Sequence, residues 1–213
     1  MNKKNLIVLL AAVLTASYAQ AQTTFGVRAG LNLTNVYQKG DDGNMKGLDW
    51  IPGFQIGVIA DYPLLEDLSF QPGILFATQG AKAEASSSGY KAKVTINLNY
   101  IQIPINLQYK HELDNKVLLV QAGPYLGYGI GGKQKAEISQ GTTKVSDSRK
   151  IKFGSGDDAD YKAFDFGLGA GAGLQLGNLQ AVLGLNYGLA KLNTDGKAKN
   201  IGLALTLTYF FDK

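Results

Sequence analysis

The sequence has no cysteine and a single histidine. Without cysteine there is no disulfide scaffold, no thiolate-held zinc or iron–sulfur centre, no thiol nucleophile and no lipid-modified N-terminal cysteine. One histidine leaves out most histidine-based metal sites. Charged residues are also scarce, 18% against 45% hydrophobic, which argues against disorder. The net charge of +4 is too small to point to nucleic acid, and no nucleic-acid partner is expected. Proline is sparse at 5, but glycine reaches 27 of 213 residues, about double its usual share. That excess needs a physical cause. The length suits one domain or one barrel.

Residues 1–21 read as a secretory signal that is cleaved. Lys3 and Lys4 supply the positive start, Leu6 to Ala16 the apolar run, and Ala19-Gln20-Ala21 a small-x-small cleavage site. The apolar run is short for a membrane span. Export without cysteine fits the periplasm or outer membrane of a Gram-negative cell. Removing Lys3 and Lys4 leaves 19 basic against 17 acidic residues, a net charge of +2.

The remainder, 22–213, alternates. Ile201, Leu203, Leu205, Leu207, Tyr209 and Phe211 share one face, and Gly202, Ala204, Thr206 and Thr208 the other. A period of two is a strand. Phe164 to Leu176 sets bulky residues against Asp165, Gly167, Gly169, Gly171, Gly173 and Gln175, and Phe25 to Leu33 follows the same rule. Eight such segments occur, near 24–36, 51–62, 68–80, 94–110, 117–131, 163–176, 179–192 and 200–211. Most reach the length a tilted strand needs to cross a bilayer. Ile59, Leu75 and Val182 are bulky on the small face, and the phase slips near Leu98–Tyr100.

The connectors have 14, 5, 13, 6, 31, 2 and 7 residues in order. Long and short alternate, as in an up-and-down outer-membrane barrel with short periplasmic turns and long outer loops. Phe166 to Ala190 carries no charge over 25 residues, long enough for a membrane helix. Frequent glycine, the Gly177-Asn178 turn signal and the period of two argue against it. The expected fold is all-β: an eight-stranded antiparallel transmembrane β-barrel.

Size decides which face looks outward. An eight-stranded barrel is just wide enough for its own side chains, so glycine and alanine fit inside and a full lining of leucine and phenylalanine does not. The bulky face then meets lipid, and the sheet must close to pair its backbone. A soluble lipocalin-like periplasmic barrel, the alternative, requires the reverse: apolar inside, polar outside.

Aromatics gather toward strand ends. Phe25, Tyr62, Phe70, Tyr109, Tyr209 and Phe211 fall on the inner side, and Phe76, Tyr100, Tyr128 and Phe164 on the outer. They suit two interfacial girdles. Phe211 resembles the aromatic end by which barrel-insertion machinery recognises clients. The outer loops and rim hold 15 basic and ten acidic residues. Lys144, Arg149, Lys150 and Lys152 form a basic stretch in the longest loop, 132–162. Such a rim would attract lipopolysaccharide phosphates.

The motifs Phe25-Gly-Val-Arg-Ala-Gly-Leu-Asn-Leu33, Phe70-Gln-Pro-Gly-Ile-Leu-Phe76, Tyr100-Ile-Gln-Ile-Pro-Ile105, Ala122-Gly-Pro-Tyr-Leu-Gly-Tyr128, Phe164-Asp-Phe-Gly-Leu-Gly-Ala-Gly171 and Tyr187-Gly-Leu189 occur in that order. Together they resemble the PorT-like "porin family" outer-membrane β-barrel domain over nearly the whole mature chain. The resemblance implies an eight-stranded barrel, with one branch of the family assisting protein secretion, and no catalytic motif.

Local motifs add no chemistry. Gly167 to Ala172 mimics a dinucleotide fingerprint but lies within a strand. Gly154 to Asp160 could set carboxylates around Ca²⁺ but lacks EF-hand spacing. His111, beside Glu112 and Asp114, falls in a turn region without a convergent nucleophile. Arg28, Asp61 and Asp165 point inward by phase, and Arg28 is expected to pair with at least one of the acids, since an isolated charge there is costly. No catalytic residue, metal or cofactor is expected. The expected role is a non-enzymatic, monomeric barrel with a filled lumen, lying in outer-membrane lipid and presenting loops to a protein partner, especially 132–162, which could extend the β-structure above the membrane and offer an edge for binding. A small-solute channel or ligand carrier is the alternative.

Overall fold

The computed structural model describes residues 23–39, 45–87, 89–154, 159–190 and 198–211. The residues read as a signal, 1–21, lie outside these, as do Asp157, Asp158 and the stretch 191–197. The strands are β1 (Thr24–Lys39), β2 (Met45–Gly47), β3 (Ile51–Leu65), β4 (Leu68–Ser87), β5 (Tyr90–Leu113), β6 (Lys116–Gln140), β7 (Thr143–Lys150), β8 (Phe153–Gly154), β9 (Tyr161–Lys162), β10 (Phe164–Leu176), β11 (Leu179–Gly188) and β12 (Ala198–Phe211).

Eight of them close a ring in the order β1-β3-β4-β5-β6-β10-β11-β12. Every neighbour pair is antiparallel, and β12 returns to β1 with Phe25 opposite Phe211 and Gln38 opposite Ala198. The ring leaves no open edge at membrane height, which a sheet in hydrocarbon requires. The charge-free segment 166–190 is the β10–β11 hairpin, as its period of two requires.

The bulky face points out. Val27, Leu31, Phe54, Leu174, Leu183 and Leu205 are exposed on the barrel wall, while Thr206, Thr208, Gln108 and Arg28 are buried. A lipocalin-like barrel is overturned by this polarity. Glycine has the expected use: it fills a narrow interior where a larger residue on a neighbouring strand needs room. Of the three exceptions on the small face, Ile59 and Leu75 pack inside with Phe210, and Val182 is buried as well. Gly73 lies opposite Ile59 and Gly26 opposite Phe210.

The phase slip near Leu98–Tyr100 has its origin on the partner strand. Asn99 faces Gly131 and Tyr100 faces Gly129, so Ile130 of β6 is the extra residue of a bulge. β5 keeps its own phase, and Leu98 and Tyr100 are both fully buried.

At one end the turns are two residues long, at 66–67, 114–115 and 177–178. Asp114 and Gly177 there take positive φ, 32° and 54°, the conformation such tight hairpins need. At the other end the expected loops 81–93 and 132–162 are largely strand. β4 and β5 pair out to Ser87 and Tyr90, and β6 folds back into β7. Strands β4 to β7 thus form a sheet raised above the ring.

Candidate functional site

The lumen is filled in two layers. Near the two-residue turns, the Arg28 guanidinium donates to Thr208 Oγ1 at 2.7 Å, Gln71 Oε1 at 2.6 Å and Gln180 Oε1 at 3.4 Å. Gln71 donates onward to Asp61 Oδ1 at 3.3 Å. Asp61 also accepts from Lys110 Nζ at 2.5 Å. Gln180 donates to Gln108, and Gln108 to Gln121, each at 3.1 Å. Charges buried at this depth persist because the network that holds them spans seven strands of a rigid ring, β1, β3, β4, β5, β6, β11 and β12.

This arrangement corrects one expectation. Arg28 makes no direct ion pair with Asp61 or Asp165; Gln71 stands between it and Asp61, because the long amide reaches the guanidinium first. The three inward charges also separate. Arg28 and Asp61 lie in the glutamine layer, whereas Asp165 sits near the opposite mouth, accepting from Asn200 at 3.0 Å and from Tyr125 at 3.4 Å.

The second layer closes that mouth. After β7 the chain drops back to the barrel, with Ile151 N–H on Gly132 O and Gly129 N–H on Ala163 O. Ile151, Phe153 and Tyr161 pack on Leu98 and Tyr100. Phe153 meets the Tyr100 ring edge-on, 5.6 Å between centroids. A side chain at Gly129 would collide with the Phe153 ring, its Cβ only 2.4 Å from the nearest ring carbon, so the glycine makes the plug possible. Between the layers remain polar cavities of about 50 Å³ and about 20 Å³. They have room for a few waters, not for a solute path.

Tyr100 therefore leaves the aromatic girdle. It faces the lumen because β5 holds its phase through the bulge. Phe25, Tyr109, Tyr128, Phe164, Tyr209 and Phe211 are exposed on the outer wall, and Tyr62, Phe70 and Phe76 are half-exposed. His111 is an exposed residue of β5 opposite Leu118, not a turn residue. Among the described residues, no group of three or more His, Cys, Asp or Glu side chains could hold a metal. Asp160, the described end of the acidic loop, is committed elsewhere: it accepts from Arg149 at 2.7 Å and from Lys152 N–H at 2.9 Å. Those two donors hold its carboxyl below the ordinary range.

On the raised sheet, Lys144, Arg149, Lys150 and Lys152 are all exposed. β7 pairs only with β6 among the described residues. Glu137 of β6 lies between Lys144 at 2.7 Å and Lys135 at 3.0 Å, and these ammonium groups pull its carboxyl down to about 2. Sequence reasoning missed the glutamines of the inner layer, although Gln71, Gln108, Gln175 and Gln180 recur in the inward phase of their strands. It also missed Phe153, for which no local signal exists.

Comparison with protein families agrees with the architecture. A family model described as "Outer membrane protein beta-barrel domain" matches residues 18–193. No curated protein matches. Among solved structures, the chain is similar to Ail of Yersinia pestis in complex with the heparin analogue sucrose octasulfate, at 19% identity over 89% of this chain and 99% of that chain, with a TM-score of 0.43. It is similar to Neisserial surface protein A at 16% identity, 88% and 97% coverage and a TM-score of 0.44. The outer membrane enzyme PagL follows at 12% identity, 84% and 98% coverage and a TM-score of 0.41. The family match makes the exposed apolar wall of the ring the lipid-facing belt of a protein resident in the outer membrane. The family match runs from β1 through β11, and the chain belongs to the outer membrane protein beta-barrel domain family.

Proposed function

We propose that the chain is a non-enzymatic outer-membrane barrel that keeps its lumen closed and offers the free edge of β7 to an extracellular protein partner. The observation that carries this reading is the eight-residue strand β7, exposed throughout and, among the described residues, bonded on one side only. An extended segment of a partner can add to such an edge through main-chain hydrogen bonds. The filled lumen supports a presenting role over a conducting one. The exposed position of His111 opposite Leu118, with no convergent nucleophile and base beside it among the described residues, supports a non-enzymatic one. A secretion-accessory task rests on the PorT-like resemblance. In this reading residues 1–21 are removed on export, the insertion machinery reads the last strand, and one copy suffices because the ring closes on itself.

The test exploits the cysteine-free sequence. Val145→Cys gives a single thiol on β7, labelled from outside by a membrane-impermeant maleimide. On purified protein it labels readily; on intact cells a partner strand beside β7 shields it. Equal labelling in both settings defeats the reading.

A further inference from the structure

The two faces of the raised sheet differ in a way that the open edge does not explain. From the last apolar outward residues, Phe76, Ile101, Tyr128 and Ile130, strand alternation can be followed upward without a break in β4 and β5 and past the bulge in β6. The outward positions then register in rows across four strands. Nearest the membrane stand Gly80, Asn97, Lys133 and Lys150. Above them come Lys82, Thr95, Lys135 and Ser148, then Glu84, Lys93, Glu137 and Ser146, then Ser86, Lys91, Ser139 and Lys144. Sixteen positions hold seven lysines, two glutamates and no apolar side chain. The opposite face, with Ala83, Ala85, Ala92, Val94, Ala136, Ile138 and Val145, is largely apolar.

The lysines are only partly compensated. Glu84 bridges Lys82 and Lys93, and Glu137 bridges Lys135 and Lys144. Asp49 adds a third acid at Lys82. Lys133 and Lys150 are different: they are cross-strand partners, both exposed, with like charges about 5 Å apart at Cβ, a destabilising arrangement in water. An anion between them removes the conflict. A shallow hollow of about 300 Å³ opens higher on the same face, lined by Lys91, Lys93 and Lys144 with Glu84, Glu137 and Ser139.

Position identifies the anion. Lys133 lies three residues beyond Ile130, about 10 Å of strand, or roughly 7 Å of height at the usual barrel tilt. The face looks sideways, into the surrounding leaflet, because it continues the lipid-facing wall. What lies beside the barrel at that height is the headgroup of the outer leaflet. We propose that this lysine face binds the phosphorylated saccharide headgroup of outer-leaflet glycolipid, with phosphate at Lys133–Lys150 and sugar hydroxyls against Thr95, Asn97, Ser139 and Ser146. The proposal rests on the outward orientation of the raised sheet and is independent of a protein partner at the β7 edge.

Binding of purified lipopolysaccharide to the mature chain in detergent micelles tests it. K133Q/K150Q is expected to weaken binding at least tenfold, and K133R/K150R to keep it. Chemically dephosphorylated lipopolysaccharide is expected to lose binding, and rising salt to weaken it. Phosphatidylglycerol vesicles and inorganic phosphate separate the sources: both should bind far more weakly than the glycolipid. Unchanged affinity of K133Q/K150Q overturns the proposal, as does retained binding of the dephosphorylated lipid or equal binding of phosphatidylglycerol. The heat-dependent electrophoretic shift of the folded barrel controls for folding, and K91Q/K93Q repeats the charge test should the first variant not fold. Failure here leaves the labelling of Val145→Cys untouched, so the two readings fall separately.

Discussion

Phe210 fills the hollow that Gly26 leaves directly opposite it, on the seam where β12 closes onto β1. A Cβ at position 26 would stand 2.6 Å from the Tyr209 carbonyl oxygen and 2.9 Å from the Phe210 ring. The backbone oxygen cannot swing aside, so Gly26→Ala must spread the last pair of strands to be joined. Overpacking of this kind costs about 1–3 kcal/mol. The expected result is a lower temperature for loss of the folded electrophoretic form. Combining it with Phe210→Leu should recover part of the loss only if the ring is the obstacle; no recovery assigns the clash to the backbone.

Arg28 joins β1 to β4, β11 and β12 through Gln71, Gln180 and Thr208. Replacing it with methionine keeps volume but leaves three buried polar groups without their donor. The expected loss is about 2–4 kcal/mol, read as a drop in melting temperature by circular dichroism in detergent. Gln71→Leu should cost a similar amount, because it severs Arg28 from Asp61 at the relay. Asp61→Asn should cost less than Gln71→Leu, since its one amide oxygen still accepts from Gln71 or from Lys110, although the other of the two contacts is lost.

The fold was largely legible because two simple quantities coincide in a small barrel: a side-chain period of two and an interior too narrow for leucine on every strand. That pair of facts set both the strands and the direction of their bulky faces. Legibility failed where a residue's place depends on register. Tyr100 looks like a girdle aromatic from strand position alone; only the extra residue Ile130 across the ladder shows that β5 keeps Tyr100 inside. An extension of β-structure into 132–162 was foreseeable, but the place of β7 within it was hidden for another reason. Lys144, Ser146, Ser148 and Lys150 alternate with Val145, Asp147 and Arg149, so both faces are polar and no hydrophobic period exists. The Arg28 relay failed to emerge because sequence shows which charges face inward, not which neutral amides reach them first.

Two separate layers close the lumen, so opening one should not open a pore. Phe153→Ala removes the ring that packs on Tyr100 and Tyr161 but leaves Gln71, Gln108 and Gln180 in place. The variant is expected to lose about 1–3 kcal/mol of stability, less than truncation of a fully buried phenylalanine costs, because the ring is only half-buried. In planar bilayers neither it nor the native chain should conduct steadily. A stable conductance step from the native protein would contradict the filled interior.

The β6–β7 hairpin should keep its shape in acid to an unusual degree. Lys144 and Lys135 hold the Glu137 carboxyl at about 2 in the folded sheet, against 4.5 for the free side chain. A carboxyl whose pKa is depressed by folding contributes its stabilisation fully above the unfolded value and loses it as pH falls through the folded one. The contribution of Glu137 is therefore complete above about pH 5 and fades between roughly pH 4.5 and 2. Glu84, lowered by Lys82 in the same sheet, acts in the same direction. Hydrogen exchange at the amides of residues 135–147 should stay slow on going from pH 7 to 5, once intrinsic rates are corrected, and accelerate below pH 3. Glu137→Gln should exchange at the fast rate at every pH and lose the acid dependence. High salt should mimic the substitution at neutral pH, because the three charges stand at the surface where ions screen them.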